Sequence, residues 1–150
     1  MGEDVVKAMV LDMSTLAGTK AFAEKVREEV KEIDVVILNA GVFNLAFKLA
    51  AGGYEETIQV NVLSTALLGL LLLPWMKEAG NGQAHLGVVT SGVNKDVDIG
   101  GKWPQKDILG FFSKEENRPP GLNGMYGTSK LLEQYVVNEL AKLAVSKDGT

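Results

Sequence analysis

Asp34-Val35-Val36-Ile37-Leu38-Asn39-Ala40-Gly41 decides the fold. Its apolar part is short, β-branched and uninterrupted by polar residues, which predicts a strand covered on both faces, as in a parallel sheet. The run stops at Asn39-Ala40-Gly41, where Asn and Gly tolerate the backbone of a sharp turn. Upstream, Leu16, Phe22, Ala23, Val26 and Val30 recur near helical spacing, opposite Lys20, Glu24, Arg27, Glu28 and Lys31. That pattern predicts an amphipathic surface helix with Ser14 or Thr15 as its N-cap. Before it, Val5 to Leu11 is predicted to form another strand, ended by Asp12.

Downstream, a loop runs through Gly52-Gly53, and a long helix is predicted from about Tyr54 to Lys77, broken at Gly80-Asn81-Gly82. Its most apolar part, Val62 to Met76, holds Ser64, Thr65, Gly69 and Pro74 and falls short of the ~20 residues that span a bilayer. We therefore expect a helix buried in a globular fold, with no membrane span. Leu86 to Thr90 is a third predicted strand, ending at Ser91. From Gly92 to about Leu122 the chain turns Gly- and Pro-rich, with Ile108-Leu109-Gly110-Phe111-Phe112 as an apolar island, and reads as a long excursion holding one short helix. A final helix, about Met125 to Val145, carries Leu131, Leu132, Tyr135, Val136, Leu140 and Leu143. This alternation of strand and helix is the signature of βαβ units, so a single α/β domain is expected.

Composition narrows the partners. With 46% hydrophobic and 23% charged residues among 150, the chain suits a globular domain and not a disordered one. A net charge of −4 without a basic stripe argues against nucleic acid or an anionic membrane. The absence of cysteine excludes a disulfide framework, a thiolate zinc site and a cysteine nucleophile, and fits a cytoplasmic protein. The single His85 makes no metal site alone, so a structural or solvated role at the start of a strand is expected. After Met1 no basic region leads into an apolar run, so no signal peptide is visible.

Chemistry-bearing residues fall at the ends of predicted elements. Asp12 ends the first strand, Asn39-Ala40-Gly41 the second and Ser91 the third, while Tyr126 and Lys130 open the last helix. Open parallel sheets bind ligands outside the carboxyl ends of their strands, so these positions should converge on one crevice. Tyr126 and Lys130 are one helical turn apart and share a face. An ammonium beside a phenol favours the phenolate and makes the hydroxyl usable as a general acid or base. Ser91 would hydrogen-bond a substrate carbonyl. Each piece also has a plainer reading: a solvated helix pair, a turn, a loop hydroxyl, a helix-start carboxylate. Their order and placement together point to carbonyl reduction.

Leu11-Asp12-Met13, Asn39-Ala40-Gly41, Asn61-Val62, Leu73-Pro74, Val89-Thr90-Ser91 and Tyr126-Gly127-Thr128-Ser129-Lys130 resemble the ordered motifs of the short-chain dehydrogenase/reductase superfamily. The resemblance covers about Val5 to Ala144. It implies a partial Rossmann-like, doubly wound parallel sheet over residues 1–150, with strands resembling the family's third to fifth and an insertion at about 92–122. It implies an NAD(P)-dependent oxidoreductase of the carbonyl reductase or alcohol dehydrogenase type, with a small carbonyl or alcohol as substrate. Tyr126 would give or take the substrate proton, Lys130 would hold the nicotinamide ribose, and Ser91, preferred over Thr90, would orient the carbonyl. Asn61 would anchor a water behind Lys130, or alternatively patch a kinked buried helix. Asp12 and Met13 would meet the adenine, and Asn39, Ala40 and Gly41 the adenosine side. The cofactor would be NADP or NAD, with NADP placed ahead. The long helices, Tyr54–Lys77 and Met125–Val145, resemble those through which many relatives form homodimers.

The sequence departs from the family twice. Ser91 and Tyr126 stand much farther apart than usual, because of the excursion between them. Trp103, Phe111 and Phe112 would line a substrate wall there or, the reading we prefer, pack the excursion's own small core. Second, nothing matches the glycine-rich turn that holds the cofactor pyrophosphate; Gly52-Gly53 and Gly100-Gly101 have the wrong spacing. In the order 3-2-1-4-5-6 two absent strands would leave a gap of ~14 Å beside the second strand, with Val5–Leu11 an orphan across it. The alternative to an enzyme is therefore an inactive truncated chain or an interaction module. An epimerase or dehydratase lacks its extra domain here, and a dinucleotide sensor would lack the Tyr-Lys pair.

Overall fold

The computed structural model describes residues 6–99 and 103–145. Two strands, β1 (Val35–Leu38) and β2 (His85–Val88), pair in parallel, with Val35 opposite His85 and Leu38 opposite Val88. The Val89 amide extends the ladder by donating to the Leu38 carbonyl at 2.9 Å. Parallel neighbours need a long crossover, and α2 (Glu56–Ala79) supplies it. Helix α2 packs against α1 (Leu16–Glu29) and against α4 (Gly124–Ala144), so three helices form one layer. The short α3 (Ile108–Phe112) lies in the excursion.

Local chemistry sets the element ends. Thr15, not Ser14, caps α1: its hydroxyl accepts from the Gly18 amide at 3.0 Å. The buried Glu55 carboxylate caps α2 by accepting from the Ile58 amide at 3.0 Å. The helix then widens into a π-turn at Gln59–Ser64 before resuming as α-helix at Thr65–Ala79. Thr65 Oγ1 donates to the Val60 carbonyl at 3.1 Å, and Ser64 Oγ to the Met13 carbonyl at 2.7 Å, so side chains serve backbone groups in and around the widened turn. The chain leaves α2 through Gly82, whose φ of 74° suits a residue without Cβ. Among the described residues α2 is the one helix long and apolar enough to cross a membrane, yet 67% of its apolar window is buried in the fold, as a core helix would be.

One core joins Ala23 of α1, Leu38 of β1 and Leu68, Leu72, Trp75 and Met76 of α2. A second joins Ile58, Val62, Met125 and Leu132 to Phe112 of the excursion. The excursion is thus packed down, by α3 and by two short 3₁₀ turns at Gly92–Asp96 and Glu115–Asn117. Arg118 donates to the Leu45 carbonyl and Glu55 N to Ser113 Oγ, tying it to the segment before α2.

Two expectations are corrected. Residues 6–12 form no strand, and Val10 is 91% exposed. A strand needs a neighbour for its backbone groups, and none lies beside this segment among the described residues. Val5 and the Gly100-Gly101 pair lie outside the described residues. Nor is β1 covered on both faces: Val36 and Leu38 meet the helices, whereas Val35 and Ile37 (65% exposed) look outward. All three long helices lie on one side of the sheet. A cavity of about 320 Å³ opens beside β1, lined by Leu11, Met13, Phe22, Val26 and the strand itself.

Candidate functional site

Four of the expected site residues, Gly41, Asn61, Tyr126 and Lys130, meet beside the segments that follow the two strands. After β1, the Asn61 side chain grips the turn from α2: Oδ1 accepts from the Val42 amide at 2.8 Å, and Nδ2 donates to the Val42 carbonyl at 2.9 Å. Nδ2 also donates to Ser129 Oγ at 3.0 Å, and Ser129 Oγ donates to the Tyr126 carbonyl at 2.7 Å. One buried amide therefore links the loop after β1 to the first turns of α4. Its side chain does not patch its own helix; that work falls to Thr65, which donates to the Val60 carbonyl. Gly41 sits close against this junction: a Cβ would stand a tight 3.1 Å from Asn61 Oδ1 and in contact with Lys130 Nζ at 3.5 Å.

Lys130 is buried. Its ammonium donates to the Val89 carbonyl at 3.0 Å and to both oxygens of Glu133, at 2.9 and 3.2 Å. Val89 lies two residues before Ser91, so Lys130 joins the end of β2 to α4. Nζ also sits 5.8 Å from the centroid of the Tyr126 ring, within reach of its π face. Phe43 meets that ring edge-on, with centroids 5.1 Å apart. Ser91 is half-buried and extended before the turn at Gly92–Asp96, and its hydroxyl caps no backbone amide of that turn. Strand β2 ends at Val88, earlier than the expected Thr90, so Ser91 belongs to the loop that follows.

Asp12 is exposed, and its Oδ1 accepts from Ser14 Oγ at 2.6 Å and Ser14 N at 2.9 Å. Those hydrogen bonds hold its carboxyl below the usual range. Asn39 and Ala40 face solvent and line the cavity beside β1, as does the buried Met13.

The excursion builds a second cavity, of about 550 Å³, lined by Trp103, Phe111 and Phe112 among others, and by Thr128 and Gly124 of α4. Neither Tyr126 nor Ser91 lines it. On a helix with 3.6 residues per turn, positions 124 and 128 face away from 126 and 130. The aromatic trio packs on itself, Trp103 and Phe111 each edge-on to Phe112, which is 2% exposed. Phe112 is thus core.

Sequence reasoning passed over Glu133, Phe43 and Arg118. Glu133 carried a signal: an acid one turn after Lys130, on the helix face shared with Leu132, Val136 and Leu140. Phe43 and Arg118 act through loop geometry and carried none.

Comparison with known sequences settles the ancestry. The profile of the family described as short chain dehydrogenase matches residues 2–95. The chain belongs to the short-chain dehydrogenase/reductase family. It is 35% identical over 147 residues to the short-chain dehydrogenase/reductase ffsI of Aspergillus flavipes, covering 96% of this chain and 43% of that protein. It is 35% identical over 150 residues to the short-chain dehydrogenase/reductase phmF of Phaeosphaeria nodorum, covering 97% and 43%. The short chain dehydrogenase/reductase mfmJ of Annulohypoxylon moriforme is 38% identical over 128 residues, covering 81% and 36%. The chain thus spans less than half the length of the curated relatives it matches. The family has a Rossmann-like α/β fold, oxidoreductase activity and NAD(P) as its general cofactor, and the two-stranded parallel sheet with its helices is consistent with part of that fold.

Proposed function

We propose that these residues carry the catalytic centre of an NAD(P)-dependent oxidoreductase that interconverts a small carbonyl and its alcohol. The observation that supports it is the convergence of Tyr126, Lys130, Asn61 and Gly41 beside the loop that carries Ser91. In reduction, the Tyr126 hydroxyl gives its proton to the substrate oxygen, and in oxidation the phenol oxygen takes it back. Ser91 hydrogen-bonds that oxygen and holds it against the phenol. Lys130 places positive charge beside the ring and so favours negative charge on the phenol oxygen.

A nicotinamide dinucleotide fits the residues present in part. The opening at Gly41, which a Cβ would fill, lets a ligand approach Lys130 and Asn61 closely. Lys130 would hold its ribose, Asn39, Ala40 and Gly41 its adenosine side, and Asp12 with Met13 its adenine. A bound nicotinamide supplies or accepts the hydride. We place NADP ahead of NAD, and we place the protein in the cytoplasm. Residues 1–150 make up part of one doubly wound domain, equivalent to the third to fifth strand units, with the excursion as an insertion. The whole protein pairs as a homodimer through the faces of α2 and α4.

The test is Tyr126→Phe in the whole protein. Turnover of a carbonyl substrate should vanish while NADPH affinity stays within about twofold; retained turnover refutes the assignment. A second reading has an observation of its own. The open edge of β1, with Val35 and Ile37 exposed beside the 320 Å³ cavity, suits a chain that is inactive by itself and pairs with another segment. Fluorescence titration of the 150-residue chain with NADPH separates the two: micromolar binding favours the enzyme reading for this chain.

A further inference from the structure

Glu133 takes no part in the reaction just proposed, yet it is the most deeply placed acid near the site. Its side chain is 1% exposed and that of Lys130 4%. An ammonium has three protons to donate, and here two carboxylate oxygens and the Val89 carbonyl receive them. A buried ammonium is costly without a partner, and so is a buried carboxylate. Burial pushes the Glu133 carboxyl up, and the hydrogen bonds and charge of Lys130 pull it back. The elements packed against α4 carry Glu56, Lys77, Glu78, Lys95 and Asp96, with Glu55 at the cap of α2, and among the described residues Lys130 is the charge that acts on the Glu133 carboxyl. The two groups form a closed pair.

We propose that Glu133 is a positioning residue that holds the Lys130 ammonium at the end of β2 and cancels part of the charge Tyr126 would otherwise feel. Its catalytic consequence rests on the oxidoreductase reading above. Removing the carboxylate charge leaves the ammonium's field undiminished, so negative charge on the phenol oxygen is better stabilised. Alcohol oxidation, in which that oxygen must accept a proton, then persists to lower pH.

Two measurements test this. In the 150-residue chain, ¹³C-carboxyl NMR, with Glu133→Gln to assign the resonance, follows the titration of Glu133. Lys130→Met should move that titration up by about one pH unit or more, and no movement would overturn the pair. In the whole protein, Glu133→Gln should move the acid limb of the oxidation rate down by about one pH unit. Glu133→Asp, which keeps the charge with a shorter reach, should lower turnover while leaving the limb near its wild-type position. A wild-type enzyme whose pH profile ignores Glu133→Gln refutes the positioning role alone. A wild-type protein without turnover refutes the oxidoreductase reading, and the catalytic consequence with it, whatever the NMR titration shows.

Discussion

Asn61→Ala isolates the contact that builds the site. The wild-type amide makes three hydrogen bonds, to Val42 N, Val42 O and Ser129 Oγ, at 2.8 to 3.0 Å. It is fully buried, whereas Val42 and the turn before it are partly open to water. Each bond contributes about 1 kcal/mol net, and water can rescue part of what Val42 loses, so the variant should be destabilised by about 2–3 kcal/mol. The loss should concentrate at Val42 in the loop after β1, because this amide ties Val42 to α2 and α4, whereas Phe43 and Asn44 keep their own contacts with Tyr126 and Glu56. Urea denaturation reads the global term as a lower midpoint with an unchanged slope. Hydrogen exchange reads the local one: the Val42 amide should exchange about 30-fold faster for a 2 kcal/mol loss, while the β2 amides, which exchange through global opening, speed up only in proportion to the fall in global stability. A destabilisation below about 0.5 kcal/mol, with Val42 exchange unchanged, would show that the loop is held by other means and that the clamp is not formed in solution.

Other perturbations probe separate parts of the molecule. Phe112→Ala removes a ring that is 2% exposed and shared between the excursion and α4, and should cost about 3–5 kcal/mol in denaturant unfolding; a cost under 1 kcal/mol would mean the excursion is not packed on the domain. Glu55 is buried at the cap of α2, and burial pushes its carboxyl up. A folded pKa above the unfolded one means that the charge weakens the fold at high pH, and that this penalty fades as pH falls through the folded value towards the ordinary ~4.3. Glu55→Gln, which can still accept from Ile58 N, should therefore gain on the wild type above that window and lose its advantage below it. Thermal melts across pH check this, and a pH-independent difference would refute it.

Much of the scaffold was legible along the chain because its signals are local. The β-branched run Val35–Leu38, the helical spacing from Leu16 to Val30 and the turn at Gly80-Asn81-Gly82 each reflect a few neighbouring residues, and each appears within a residue or two of its expected place. The motif residues Tyr126 and Lys130 were visible for the same reason, since one helical turn fixes their separation. The excursion's short helix was visible too, as an apolar island in polar sequence.

What failed or went unseen depends on partners distant in sequence. Residues 6–11 have strand composition, but a strand is made by its neighbour, and no apolar pattern within one segment records whether that neighbour is present. Covering of β1 is likewise a property of layers. The grip of Asn61 on Val42, the tie of Lys130 to Val89 and the docking of Arg118 on residues 44–45 span 19, 41 and more than 70 positions of chain. The order of residues therefore determined which elements form and which chemical groups stand at their ends. Tertiary packing alone decided which of those groups meet, because hydrogen bonds between buried groups depend on positions in space that no local periodicity encodes.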